Sequence, residues 1–151
     1  MAKAKEPAKK AKSVASNRVV GLTLADVNIH FQQQDDEKEP NAEFDYTIEI
    51  QTPSVAEDVI FFPCSLKVRK RYPEEEEDIA SIGANYFCGV SGALKSDSEN
   101  ETLAKKYAQT TIWSAFSSLF AICSQQMGIS FPALPPGPSR VEVANPENED
   151  E

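Results

Sequence analysis

The chain has few of the residues from which catalytic and metal sites are built. It contains a single histidine, His30, and its three cysteines, Cys64, Cys88 and Cys123, include no C-x-x-C pair. A structural zinc site or a redox dithiol needs closely spaced ligands, so neither is predicted. No Ser–His–Asp or Cys–His arrangement can be assembled around His30. We therefore expect no enzyme, no cofactor and no metal, and we expect free core thiols in a reducing compartment.

Phosphate loops and long apolar segments are also missing. Gly83, Gly89 and Gly92 are not followed by the lysine of a phosphate-binding loop. The longest uncharged stretch, residues 107–139, carries too many serine, threonine and glutamine residues to span a bilayer. The N-terminal lysines are not followed by the apolar region of a secretory signal. These features predict a cytoplasmic protein without membrane insertion.

The charge is strongly acidic, with a formal net value of −9. Phosphate backbones repel such a chain and basic partners attract it, so we predict no nucleic-acid partner. Residues 1–18 form a lysine-rich arm and residues 144–151 an acidic tail, both predicted to be disordered, which leaves one domain at residues 19–143. The arm either contacts nucleic acid or only improves solubility. The acidic run at residues 74–78 is either a cation site or a solvated turn, and divergent consecutive side chains favour the turn.

Alternating apolar and polar residues predict four strands between the tails. The first ends near Phe31, the second covers residues 44–50, the third residues 59–72 and the fourth residues 82–90. Short or polar connections favour an antiparallel sheet. In the third strand, Pro63 suggests an edge position or a bulge. The adjacent Phe61 and Phe62 cannot both face the core, since neighbouring side chains in a strand point to opposite faces.

A long helix is predicted over residues 101–127, after a polar stretch with good capping residues and before Gly128 as its stop. No charge occurs from residue 112 to residue 127, whereas an ordinary surface helix has a charged face. The helix is therefore either covered by a second copy or buried within its own monomer. We favour an oligomer interface, and we assign to it Trp113, Phe116, Leu119, Phe120 and Cys123.

Aromatic and aliphatic residues on β-rich and extended elements suit a surface that holds unfolded chains. Apolar grooves accept side chains, and a sheet edge accepts backbone hydrogen bonds. The proline-rich residues 129–138 cannot be helical and are expected to lie along a groove. At least half of the aromatics are expected to be core. The predicted polypeptide-binding residues are Phe61, Phe62, Tyr86, Phe87, Phe131 and Leu134.

Two stretches resemble the SecB-like family of protein-export chaperones. They are residues 22–29, L-T-L-A-D-V-N-I, and residues 111–116, T-I-W-S-A-F, continuing to M-G-I-S-F-P-A-L-P-P at residues 127–136. The resemblance covers residues 20–143. It implies an α+β fold, in which a four-stranded antiparallel sheet is followed by one long helix. It also implies strands that pair between subunits, and two such dimers that sandwich their helices in a homotetramer.

The resemblance further implies an ATP-independent holdase, which binds unfolded polypeptides or preproteins. Such a holdase passes them to the translocation ATPase SecA, or serves a dedicated client such as an antitoxin. Asp26 matches a family carboxylate that meets SecA, and Glu77 is assigned to the same docking surface. His30 stands where better-known members carry a glutamate, and their second short helix is missing, which weakens the case for SecA. The alternative is a structural or adaptor protein, related to phage or toxin–antitoxin systems, that uses this fold to bind one fixed partner.

Overall fold

A mixed sheet forms one layer of the molecule in the computed structural model, which describes residues 17–138 and 140–144. The strands are β1 (Arg18–Phe31), β2 (Glu43–Gln51), β3 (Ser54–Ala56), β4 (Val59–Arg71), β5 (Ala80–Ser91) and β6 (Glu142–Ala144). Their order is β1-β5-β4-β2-β6, and β3 pairs with β4. Most of the predicted arm and tail lies outside the described residues.

The predicted antiparallel pairing of the four long strands is confirmed. The sheet is nevertheless mixed rather than purely antiparallel, because β6 runs parallel to β2 along residues 49–51. Neither β3 nor β6 was predicted, since a strand of three residues contains too little alternation to stand out.

One face of β4 and β5 forms the core. Alternate side chains of a strand point to opposite faces, and here the even-numbered set points inward. Phe62 belongs to this buried set while Phe61 lies on the outward face, as expected for adjacent residues. The inward side chains, each no more than 5% exposed, are Ile60, Phe62, Cys64, Leu66, Val68, Ile82, Ala84, Tyr86, Cys88 and Val90.

The expectation for Pro63 was wrong in one respect, because β4 lies inside the sheet between β5 and β2. On its β2 side, however, β4 changes partner at this point. It pairs with β3 up to Phe61 and with β2 from Cys64 onward. Pro63 lies in the gap, where its missing N–H removes no ladder hydrogen bond on that side.

A long helix, α1, packs on the inward face of the sheet. It is α-helical over Asp97–Tyr107, π-helical over Ala108–Ile112 and α-helical again over Trp113–Met127. It starts earlier than predicted, because Ser96 is the N-cap and forms a capping box with Glu99. Gly128, with φ of 67°, ends the helix as predicted in a left-handed conformation that favours glycine. The π-helical turn was not predicted.

The remaining segments lie at the margins of α1 and the sheet. A 3-10 turn, Glu39–Asn41, interrupts the loop between β1 and β2. After Gly128, residues 129–138 contain no helix or strand, as their prolines predict. This segment returns along α1 toward β6, and we call residues 129–138 the strap.

Candidate functional site

The six predicted polypeptide-binding residues fall in three separate places. Phe62 and Tyr86 are buried in the core, which corrects their assignment to a binding surface, because an inward-facing side chain under α1 cannot meet a client. Phe61 and Phe87 lie together on the outward face of the sheet. Phe131 and Leu134 belong to the strap, on the inward side. The prediction therefore combined core residues with two distinct surfaces.

On the outward face, the rings of Phe61 and Phe87 stack with centroids 6.0 Å apart and planes 18° apart. Phe87 is 46% exposed. A side chain at Gly89 would meet the Phe61 ring at 3.2 Å, so the glycine lets this ring lie flat across β5. Val20, which is also exposed, approaches the same point. These four residues form the outer aromatic patch, an apolar area on a face that is otherwise polar.

On the inward face, the strap lies in a groove between α1 and β2. The ring of Phe131 stands edge-on to Phe120 at 5.2 Å and to Phe44 at 6.0 Å. Tyr46 and Trp113 continue the wall, with ring centroids 5.0 Å apart. We call Phe44, Tyr46, Trp113 and Phe120 the aromatic groove. Its present occupant is an extended piece of the same chain.

A buried lysine fastens this region together. Lys70 is fully buried on β4, and its Nζ donates to Oε2 of Glu39 at 2.6 Å. The same Nζ donates to Oε1 of Gln34 and to the carbonyl oxygen of Ser130, each at 3.3 Å. The hydroxyl of Tyr72 donates to the other oxygen of Glu39. This cluster joins the loop before β2, the strand β4 and the start of the strap.

The cluster changes the acidity of its members. Burial acts to raise the pKa of Glu39, but the hydrogen bonds from Lys70 and Tyr72 outweigh burial and hold this pKa below its usual value. Burial, and then the hydrogen bond to Glu39, raises the pKa of Tyr72. Glu39 is therefore stabilised as a carboxylate in the folded chain.

Strand β1 leaves a row of apolar side chains uncovered. Leu24, Val27, Ile29 and Phe31 share the inward face with the core but are 36% to 53% exposed. A helix is about 10–12 Å wide and strands are about 4.8 Å apart, so one helix cannot cover four strands. Among the residues that the structure describes, β1 is also an edge strand that pairs with β5 alone, so the other side of its backbone has no partner strand there.

The assignment of the helix interface needs correction. Trp113, Phe116 and Phe120 are buried against the chain's own sheet, because the apolar inward face of the sheet requires the bulkiest side of α1. Leu119 and Cys123 are half-buried at the margin. The outward arc of the helix is a different set, and it is uncharged and exposed, with Ile122 at 59%. Its members are Ser114, Ser118, Ala121, Ile122 and Gln125.

The two predicted docking carboxylates have neutral partners. Oδ1 of Asp26 accepts from Nδ2 of Asn85 at 2.7 Å, and Oε2 of Glu77 accepts from Nε2 of Gln32 at 3.4 Å. The Gln32 amide also lies 3.3 Å from the ring of His30. Within the described part of the chain neither carboxylate forms an ion pair. Asn85, the partner of Asp26, lines a shallow depression of about 540 Å³, to which Asn28 and His30 also contribute.

The described residues contain no cluster suited to binding a metal, and the buried thiols of Cys64 and Cys88 are unreactive. Across residues 17–138 and 140–144, no three His, Cys, Asp or Glu side chains come together to hold a metal, and this range includes the run at 74–78. Burial raises the pKa of Cys64 to about 12 and that of Cys88 to about 11, which keeps both thiols protonated and unreactive. No helix in these ranges has the length and apolar character needed to cross a membrane.

The comparison with known proteins rests on structure. No family model and no curated protein matches the chain. A solved structure does match, the SecB-like chaperone of Mycobacterium tuberculosis in complex with a peptide from the HigA1 antitoxin. The TM-score is 0.59 at 16% identity, over 86% of this chain and 96% of that chain. The chain has the SecB-like fold. This fold confirms the α+β architecture that the two short resembling stretches implied.

Removal of the buried cation should destabilise the fold. In Lys70→Ala the Glu39 carboxylate keeps Tyr72 but loses its cationic partner while most of its side chain is buried, and we expect a loss of about 3 kcal/mol in the free energy of unfolding. The matched control is Lys38→Ala, because Lys38 pairs with Glu75 at the exposed surface, where such pairs contribute little. Urea unfolding followed by circular dichroism compares the two variants. Equal midpoints would show that the buried pair does not hold the region together.

The same cluster predicts a pH dependence. The pKa of Glu39 is lower in the folded chain than in the unfolded chain, so its contribution is fully present above the unfolded value and disappears as the pH falls through the folded value. The wild type should therefore exceed Glu39→Gln in stability at about pH 7, and the difference should shrink below about pH 4. Urea unfolding at several pH values measures this difference. A difference that does not change with pH would contradict the role of Glu39.

Proposed function

We propose that the chain is an ATP-independent chaperone that holds unfolded polypeptide segments and catalyses no reaction. The observation that carries the proposal is the exposure of large apolar side chains in an acidic chain with the SecB-like fold. Ile29, Phe31, Phe87 and Ile122 are each at least 46% exposed. Soluble monomers rarely expose contiguous apolar surface unless it binds something.

The outer aromatic patch is the surface proposed for clients. An unfolded segment gains about 25 cal/mol for each Å² of apolar surface that it buries there. The net charge of −9 keeps a protein with such surfaces soluble, and it favours client segments that carry basic residues beside their apolar ones.

Assembly is proposed to cover the other apolar surfaces. The open edge of β1 suits antiparallel pairing with the same strand of a second copy around a twofold axis. The uncharged outward arc of α1 then suits packing between two such dimers. The result is a homotetramer, a dimer of dimers, in which the row on β1 is no longer in contact with water.

A charge on the outward arc should divide the assembly. For Ile122→Asp we expect a mass near two copies, against four times 16.6 kDa for the wild type, since an unpaired charge would be buried between helices. Thr102→Asp is the control, because Thr102 is exposed on α1 outside the uncharged arc. Trp113→Asp should unfold the chain instead, because Trp113 is buried in its own monomer. Light scattering measures the masses. An unchanged mass for Ile122→Asp would show that the arc is not an interface.

Aggregation of a chemically unfolded client tests the holding activity. Without nucleotide, the protein should suppress light scattering, with saturation near one oligomer per client chain. Phe87→Ser should weaken this suppression, whereas Val55→Ser, which changes an equally exposed apolar side chain elsewhere, should not. Failure of the wild type in tenfold excess would contradict the proposal.

A second candidate is an adaptor that binds one fixed partner. It is favoured by one finding, that the matching SecB-like chaperone was solved with a peptide from a single partner protein. Such an adaptor, related to phage or toxin–antitoxin systems, would copurify with its partner and ignore unrelated unfolded clients. Asp26 and Glu77, whose partners in the described part of the chain are the neutral Asn85 and Gln32, are proposed to dock a basic surface in either case, with SecA as one candidate.

A further inference from the structure

The strap is bound to its own protein in the manner of an extended peptide. Among the described residues, no backbone–backbone hydrogen bond joins residues 130–138 to another segment. Pro132, Pro135, Pro136 and Pro138 have no N–H to offer. The strands, by contrast, are held by continuous ladders. Residues 130–138 of the strap are therefore held by a few contacts with side chains of the groove.

Ile129, the first residue of the strap, is buried in a small core cluster with Tyr72 and Ile79, and four further contacts fix residues 130–138 in the groove. Two are side chains, because Phe131 lies between Phe44 and Phe120, and Leu134 packs at the edge of the core. Two are backbone carbonyls. The indole N–H of Trp113 donates to the carbonyl oxygen of Pro135 at 2.9 Å. Lys70 donates to the carbonyl oxygen of Ser130 at 3.3 Å.

None of these contacts requires that the occupant be covalently attached. Any extended peptide has backbone carbonyls at the required spacing, and an aromatic residue followed three positions later by an aliphatic one supplies both side chains. The receiving groups belong to β2, β4 and α1, which are held by ladders and helix bonds without the strap. The anchors themselves, Phe131 and Leu134, are only half-buried. Segments with few buried contacts are the first to open in a native protein.

We propose that the aromatic groove is a binding site for an extended client segment with an aromatic residue and, three positions later, an aliphatic one. The strap is the resident occupant, and such a segment displaces it. This inference rests on the proposed function, because it names a class of client. The groove recognises two side chains and two backbone carbonyls of its occupant and needs no backbone N–H. It therefore accepts proline between the anchors, whereas a sheet edge would reject proline.

Tethering makes the strap a strong competitor. A segment in the same chain acts at an effective concentration of about millimolar, so only well-matched or abundant client segments replace it. The apparent affinity of the groove falls by the fraction of molecules in which the strap is open. Weakening the anchors of the strap, while leaving the groove intact, should therefore strengthen the binding of a free peptide.

The test uses a fluorescent peptide with the sequence of residues 127–140 and the full-length protein. In Phe131→Ser/Leu134→Ser the strap loses both anchors, and we expect the peptide to bind at least about tenfold more tightly than to the wild type. The matched control is Ala133→Ser/Pro136→Ser, which changes two exposed positions of the same strap and should bind like the wild type. A peptide with serine at both anchor positions should bind to none of them.

Equal affinity of the wild type and the folded anchor variant would overturn the inference, and circular dichroism establishes that the variant is folded. If the double variant does not fold, Phe131→Ala and Leu134→Ala each keep one anchor and should show a smaller gain, and no gain in either would have the same meaning. A change in mass when the wild type is mixed with the anchor variant, without peptide, would identify the strap of a second copy as the occupant and also overturn it.

Aggregation suppression separates this inference from the proposed function. The wild type could suppress aggregation while the anchor variant shows no gain in peptide affinity. This result would support the holdase function and contradict the role of the strap as a competitor. The anchor variant could instead bind the peptide tightly while neither protein suppresses aggregation. This result would support the groove as a binding site for one kind of segment and contradict a general holdase.

Discussion

The width of a single helix against a sheet of four long strands determines which surfaces this chain leaves open. A helix about 10–12 Å across can cover the central strands but not both margins of a sheet whose strands are about 4.8 Å apart. α1 packs its aromatic side over β4 and β5, so the inward faces of β1 and β2 have to be covered by something other than the helix. On the β2 side the chain itself supplies the cover, through the strap and β6. On the β1 side the described residues supply none, so the apolar row stays open there.

The two margins therefore differ in how they can recognise another chain. β1 offers a row of apolar side chains together with an open backbone edge, and a partner strand has to satisfy both. The aromatic groove offers rings, one indole donor and one ammonium donor, and it needs no regular backbone from its occupant. Lys70 is central to this difference. A buried ion pair is seldom more stabilising than apolar packing, but its geometry is specific. Here it aligns the loop before β2 with the start of the strap, and so fixes where the occupant enters the groove.

Much of the fold could be predicted because local patterns specify it. Alternation located all four long strands, and Gly128 located the end of α1. The three-residue strands and the π-helical turn could not be predicted, since they depend on contacts between distant segments. Pro63 shows the limit clearly. The residue marks an interruption of pairing, but the sequence cannot reveal that the interruption is a change of partner within the sheet. In the same way, the alternation along β4 places Lys70 among the even-numbered residues that point inward. Nothing near Lys70 in the sequence, however, identifies Glu39 as its partner.

The helix gives the same lesson for the candidate sites. Periodicity groups Trp113, Phe116 and Phe120 on one side of α1, but it cannot say whether the sheet or a second copy covers that side. The sheet is the favoured cover for this side of α1, because the apolar inward face of the sheet belongs to the same chain and is therefore always available. The absence of charge from residue 112 to residue 127 then has two separate causes. One arc lacks charge because it is core. The arc around Ile122 is exposed in the described part of the chain, so core packing does not explain why it lacks charge, and this exposure supports the proposed packing between dimers.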